Sequence, residues 1–209
     1  MKKYGLLSVL LLCLTACSVP RQAEKAASRN AIVWTNQLVE PLLVFDNSVI
    51  SYRLKPKYRR RAVPFSAAEK ALPLEGDTYN YDLNSLDGRY YTVAERKDRN
   101  GYDYKLIVYN AGGENDTEIL VTQLNSYKQG KPIDALLLEL NFTFEIAYSS
   151  RYIVDNKSIR IDQYAINGLQ CSEDGDIIGT KEVPDSTVWR LVYHIKDGQF
   201  MPASIRRIK

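Results

Sequence analysis

His194 is the only histidine in this 209-residue chain, and Cys171 is the only cysteine beyond residue 17. Together they could supply a base and a thiol nucleophile, which must lie within hydrogen-bond reach of each other and need donors for a developing oxyanion. His194 alternates with Val188, Arg190 and Val192 in "TVWRLVYHIK", so it also fits an exposed or half-buried sheet position. Cys171 equally fits a loop residue or a small apolar filler. In "SEDGDIIG", Glu173, Asp174 and Asp176 surround Gly175. Carboxylates around a glycine can hold Ca²⁺, but the D-x-D-x-D-G register and the distal Glu are absent, so a solvated hairpin turn fits better. No metal and no cofactor is expected. Glu139 and Glu145 are candidate acids of a carboxylate hydrolase, without an identifiable counterpart. G-x-S-x-G, G-x-x-x-x-G-K, H-E-x-x-H and C-x-x-C do not occur.

The strongest surface signal is the run Arg53, Lys55, Lys57, Arg59, Arg60 and Arg61, interleaved with Tyr52 and Tyr58. It reads as a Pro-bounded loop that either keeps the chain soluble or contacts an anion: lipid phosphate, lipopolysaccharide or an acidic protein. A second candidate surface is the tyrosine group Tyr79, Tyr81, Tyr90 and Tyr91 among Glu75, Asp77, Asp82 and Asp87, since tyrosine is enriched in interface cores.

The N-terminus carries an address. Lys2 and Lys3 precede the apolar run "GLLSVLLLCL", and small Ala16 follows. A membrane-spanning helix needs roughly 20 apolar residues, so this shorter run has the anatomy of a secretion signal. Leu14-Thr15-Ala16-Cys17 resembles the lipobox of bacterial lipoproteins. Taken alone, the residues also fit an ordinary cleaved signal with an incidental cysteine. The resemblance covers residues 1 to about 20 and implies a processing route rather than a fold. On it, the Cys17 thiol is diacylated, the chain is cut before Cys17, and the new amine is acylated. Ser18, in place of Asp, then implies the outer membrane. Residues 1–16 become a removed signal peptide, 17–30 a lipidated tether, and 31–209 a single β-rich globular domain. Stable anchoring takes more than one acyl chain at about 0.8 kcal/mol per buried CH₂, so three chains would hold the protein permanently.

Loss of the signal removes Cys13, Lys2 and Lys3, leaving a near-neutral chain with one free thiol and no internal disulfide. Its stability must then come from a hydrophobic core. Residues 18–73 carry ten basic and four acidic residues, whereas 74–209 carry 16 and 21. Bulk charge and compartment exclude a nucleic-acid partner.

Candidate sites need strands to position them. "LLVFDNSVISYRL" reads as two strands around Asp46-Asn47. Ser66 and Glu69 have capping-box spacing, which predicts a short helix within residues 65–72. From residue 88 onward, Asn100-Gly101, Asp155-Asn156, Asp174-Gly175 and Asp197-Gly198 punctuate strand-like runs. "DALLLELNFTFEIAYS" predicts one long strand, with Phe142, Phe144, Ile146 and Tyr148 on one face and a bulge or bend near 139–141. Trp189, Leu191, Tyr193 and Ile195 predict another buried face. The expected class is mainly β: an antiparallel sheet, sandwich or partial barrel with one or two short helices near the N-terminus. The expected role is a non-enzymatic, lipid-anchored binding protein of the bacterial cell envelope with a protein partner. It would serve envelope assembly or maintenance, or act as an immunity lipoprotein against a periplasmic toxin; the hydrolase is the remaining alternative.

Overall fold

The computed structural model of the chain describes residues 33–76, 83–113, 117–143 and 146–209. The N-terminal part consists of short pieces. In order they are β1 (Trp34–Thr35), two 3₁₀ turns (Asn36–Leu38 and Glu40–Leu42), β2 (Leu43–Asp46), β3 (Ser51–Leu54), α1 (Pro56–Arg59), β4 (Val63–Pro64), α2 (Ala67–Lys70) and β5 (Leu74–Glu75). Eight longer strands follow: β6 (Arg89–Lys97), β7 (Tyr102–Gly112), β8 (Glu118–Lys128), β9 (Lys131–Thr143), β10 (Ala147–Val154), β11 (Ser158–Cys171), β12 (Ile177–Lys196) and β13 (Gln199–Arg207).

These eight strands form an antiparallel meander in chain order, with β4 added beside β6. β13 and β4 are its two ends and do not pair with each other, so the sheet is not closed. The chain is therefore mainly β and antiparallel, with two one-turn helices near the N-terminus, as its residue pattern predicts. β2 and β3 form a separate hairpin whose register pairs Asp46 with Ser51.

Burial explains the two kinds of strand sequence. β7 sends Tyr104, Leu106 and Val108 into one core and Ile107, Tyr109 and Ala111 into another. β8 and β9 are likewise buried on both sides, which is why "EILVTQL" and "ALLLEL" read as nearly continuous apolar runs. β10 and β11 bury alternate residues, with Tyr152, Val154, Ile159 and Ile161 in the larger core. That core joins the two halves of the meander: Tyr104 lies 6.5 Å from Phe200, ring to ring. Phe200 N donates to Asp134 Oδ2 at 2.7 Å, and Ser126 Oγ donates to Gly198 O. Asp197 and Gly198 both have positive φ, as a tight hairpin turn requires. A Cβ on Gly198 would lie 2.7 Å from Tyr102 Cδ1, so glycine is needed there for space as well.

Two expectations are corrected. The run 135–148 is not one strand: Phe142 pairs with Tyr148 and Thr143 with Ala147, so the chain reverses between them. Period-two alternation passes through a short turn unchanged, and no Gly, Asn, Asp or Pro marks this one. Residues 139–141 pair regularly with β8, and the register shift falls just before them, at Leu138, which is skipped between Glu139 opposite Thr122 and Leu137 opposite Gln123. Phe144 and Glu145 lie outside the described residues. Trp189 is 43% exposed although Leu191 and Tyr193 are buried. It stands near the end of the β12–β13 ladder, opposite Arg207, where the core has run out.

Leu136 is fully buried and Ile178 is 61% exposed. Leu136→Ala should destabilise by about 2–5 kcal/mol in urea melts, and Ile178→Ala by less than about 0.5 kcal/mol. Equal losses would contradict this placement of the core.

Candidate functional site

Three polar clusters each tie an N-terminal piece to the meander. The first is the basic face. β3 holds Arg53 against β8 and the β2 end: Nη1 donates to Asp46 Oδ2 at 2.6 Å, Nε to Glu118 Oε2 at 2.7 Å, and Nη2 to Glu118 Oε1. Hydrogen bonding and charge from Glu118, then Asp46, raise the pKa of the guanidinium above its ordinary value. Arg53 is thus ion-paired with two acids of the chain itself, and its side chain stays 27% exposed. The surrounding segment is not simply a loop, because Pro56 opens the one-turn helix α1. Proline at a first helical position lacks only an N–H that would have no helical partner there.

The other five basic residues face outward to differing degrees. Lys55 Nζ donates to Pro41 O at 2.8 Å, and Lys57 lies 4.7 Å above the Tyr58 ring. Arg59 approaches Asp87 at 3.8 Å with its side chain 57% exposed. Arg60 Nε donates weakly to Pro56 O at 3.4 Å, and Arg61 is exposed. β6 adds Arg89, which sequence reading missed, and its Nη2 donates to Ala62 O. An open groove of about 580 Å³ results, lined by Arg53, Arg59, Arg60 and Arg89 with Asp46 and Asp87.

The second cluster centres on Glu69. The predicted capping box is present: Ser66 Oγ accepts from Glu69 N, and Ser66 N donates to Glu69 Oε2 at 2.7 Å. The other oxygen, Oε1, accepts from Tyr127 at 2.7 Å and Tyr90 at 2.9 Å. Tyr127 in turn accepts from Asn125, which accepts from Gln123, which accepts from Tyr109. Burial pushes the Glu69 carboxyl up, but the Tyr127, Ser66 and Tyr90 hydrogen bonds outweigh it and hold the pKa below the ordinary value. Burial and Glu69 together raise Tyr90 to about 12. This relay fixes α2 on β8 beside a cavity of about 310 Å³ walled by Phe65, Leu74, Leu83 and Tyr109. Tyr90 is therefore a core residue, which corrects its assignment to a tyrosine surface. Tyr91 packs on Tyr58, while Tyr79, Tyr81, Asp77 and Asp82 lie outside the described residues.

The third cluster lies where β9 and β10 part. Asn36 Nδ2 donates to Glu139 Oε2 and to Ser150 O, both at 2.9 Å, and Asn36 Oδ1 accepts from Tyr152 N at 2.9 Å. Asn141 Nδ2 reaches Glu139 Oε1 at 3.5 Å. Burial dominates at Glu139 and raises its pKa to about 7 against the opposing Asn141 and Asn36 hydrogen bonds; the charge of Glu40 adds to the rise. Glu139 and Glu40 line one cavity of about 300 Å³ with Val39, Leu43 and Tyr52. Nothing in the spelling of residues 31–40 marks Asn36, so only the fold brings it to Glu139.

The remaining candidates are far apart or solvated. His194 faces Ser158 and Cys171 faces Ile177 in the β11–β12 ladder. Thirteen residues of strand separate them, roughly 40 Å at about 3.3 Å per residue, so they cannot act as base and nucleophile. Glu173, Asp174 and Asp176 occupy the exposed turn closed by Gly175 N donating to Ser172 O at 3.1 Å. Among the described residues, no three His, Cys, Asp or Glu side chains are grouped to hold a metal ion. No protein-family model, curated protein or solved structure matches the chain.

The raised pKa of Glu139 sets the sign of a pH effect. Below about 4.5 the carboxyl is protonated in both folded and unfolded chains and costs nothing. Between about 4.5 and 7 the unfolded chain releases the proton while the folded one keeps it, so stability falls as pH rises. The full cost, about 3 kcal/mol, is reached above pH 7. Glu139→Gln keeps the shape and the acceptor without the charge. It should match the wild type near pH 4.5 and be more stable by up to about 3 kcal/mol at pH 8.5, measured by urea melts. A variant that is less stable at pH 8.5 would contradict the buried-carboxyl account.

Proposed function

We infer that the chain is a lipid-anchored, non-enzymatic binding protein of the bacterial cell envelope, held in the outer membrane through Cys17 and serving envelope assembly or maintenance through a protein partner. The observation that carries the reading is the lipobox-like Leu14-Thr15-Ala16-Cys17 ahead of a β-rich meander. Its principal carboxylates are engaged by internal donors: Glu118 by Arg53, Glu69 by two tyrosines, and Glu139 by two amides. A hydrolytic carboxylate must be free to meet substrate and water. Glu139 has the raised pKa of a general acid, but the amide that holds it also holds the backbone of β10. That supports a structural role over the hydrolase alternative.

The anchor is tested by replacing Cys17. Cys17→Ala should abolish incorporation of a clickable fatty acid and leave a slower-migrating precursor. Labelling and migration unchanged from the wild type would contradict the anchor.

The basic face is tested separately. Replacing Arg59, Arg60 and Arg61 together with glutamine should weaken binding to anionic vesicles roughly a hundredfold, about 3 kcal/mol, at low salt. The difference should fade at high salt. Binding indifferent to both the substitutions and salt would leave the face as a solubilising surface.

A further inference from the structure

The β11–β12 ribbon outruns the sheet that supports it. β11 meets β10 only as far as Ile166, opposite Ala147, and β12 is hydrogen-bonded to the C-terminal chain only as far as Val188, which accepts from Ile208 N and donates to Lys209 O. Beyond these points, residues 167–187 form a two-stranded arm in which Asn167 faces Asp185 and Cys171 faces Ile177. Among the described residues no third strand lies along either edge of it, and none of its residues is buried. A two-stranded ribbon alone is marginal in water. This one nonetheless exposes Ile177, Ile178 and Val183, the last by 77%, with Ile166 and Trp189 exposed at its base.

Its edges are blunted. The ladder shifts register at Asn167/Leu169 and at Gln170/Cys171, Pro184 interrupts the donors of β12, and Lys181 pairs with Asp185 at 2.7 Å. Bulges, proline and edge charge are devices against strand addition. A partner must therefore meet the side chains of the arm rather than its backbone. The charge on those side chains is one-sided: Lys181 offsets Asp185, while Glu173, Asp174, Asp176 and Glu182 make no ion pair among the described residues. A second copy docked arm to arm about a two-fold axis would bring these carboxylates together, and an anionic lipid surface would repel them equally.

We propose that the exposed aliphatic side chains of the 167–187 arm, which project from both sides of the ribbon, together with its four carboxylates that make no ion pair among the described residues, are a docking surface for a partner protein segment that intersperses basic and aliphatic side chains. The aliphatic residues supply apolar burial, and the carboxylates supply selection and attraction at a distance. The surface is separate from the basic face and does not depend on lipid at Cys17, so it can fail or stand independently of the anchored-protein reading.

The test uses the full-length chain in non-ionic detergent and a fluorescein-labelled peptide alternating lysine and valine, followed by anisotropy. A peptide alternating glutamate and valine is the control. The lysine peptide should bind at least tenfold more tightly than the control at low salt. Ile177→Ser, Ile178→Ser and Val183→Ser combined should weaken it tenfold or more. Glu173→Gln, Asp174→Asn and Asp176→Asn combined should do so at low salt and converge on the wild type at high salt. Both variants change exposed residues and should keep the wild-type melting profile. Equal binding of the two peptides, or lysine-peptide binding indifferent to both variants, would overturn the proposal. So would sedimentation showing that the arm variants dissociate a self-associated wild type, because the occupant would then be a second copy.

Discussion

Two residue pairs, Phe142–Tyr148 and Thr143–Ala147, are all that join β9 to β10 in a meander whose other neighbours pair over most of their length. Past that corner the strands separate, and the backbone groups of β10 that should meet β9 need other partners. Asn36 supplies them. Its side-chain amide donates to Ser150 O and accepts from Tyr152 N, as a peptide group on a neighbouring strand would. Further along β10, Ile153 pairs with Thr35 and Val154 with Trp34 of β1. On the other lip of the opening, β5 lies parallel to β9 at Ala135 and Leu136. The N-terminal pieces thus complete a sheet that the meander leaves unzipped. The second hydrogen of the Asn36 amide then draws Glu139 into a buried site, where its charged form is costly.

The same logic runs through the other clusters. Glu69 fastens α2 to the side of β8 opposite Asn36, and Arg53 fastens the β2–β3 hairpin to β8 through Glu118. Arg96 lies 5.0 Å from the rings of both Trp34 and Tyr104 and donates to Asp155 O at 2.7 Å, closing over β1. Buried polar groups demand specific partners. Each fastening therefore fixes where a short segment of little intrinsic stability must lie. The chain's charge chemistry is spent on assembly at these points. The outward part of the basic face and the acidic arm take no part in these fastenings.

The legible parts of the fold were those set by local chemistry. Asp197-Gly198 announces its hairpin because both residues tolerate positive φ. Ser66 and Glu69 announce their helix because a capping box is a four-residue device. The turn at 143–147 was hidden, since alternation continues across it and no turn residue marks it. Trp189 was placed inside because periodicity gives a face, not the point along a strand where the opposing core ends. Arg53 looked like its basic neighbours, and only the β3–β8 juxtaposition separates it from them by supplying Glu118. Glu139 was visible as a candidate acid, but its environment rests on an asparagine 103 residues away in the chain. The lipobox-like segment Leu14–Cys17 lies outside the described residues, and its reading rests on linear spelling alone.

The central structural claim is that one side chain stands in for a missing stretch of sheet. Amide hydrogen exchange of residues 147–154, compared between the wild type and Asn36→Ala under native conditions, tests it most directly. The account predicts that the Tyr152 amide, protected in the wild type, exchanges at least tenfold faster in the variant, while Leu106 and Val108 in β7 keep their protection apart from any global loss of stability. Unchanged protection at Tyr152, or a loss there no greater than the uniform loss across β7, would contradict it.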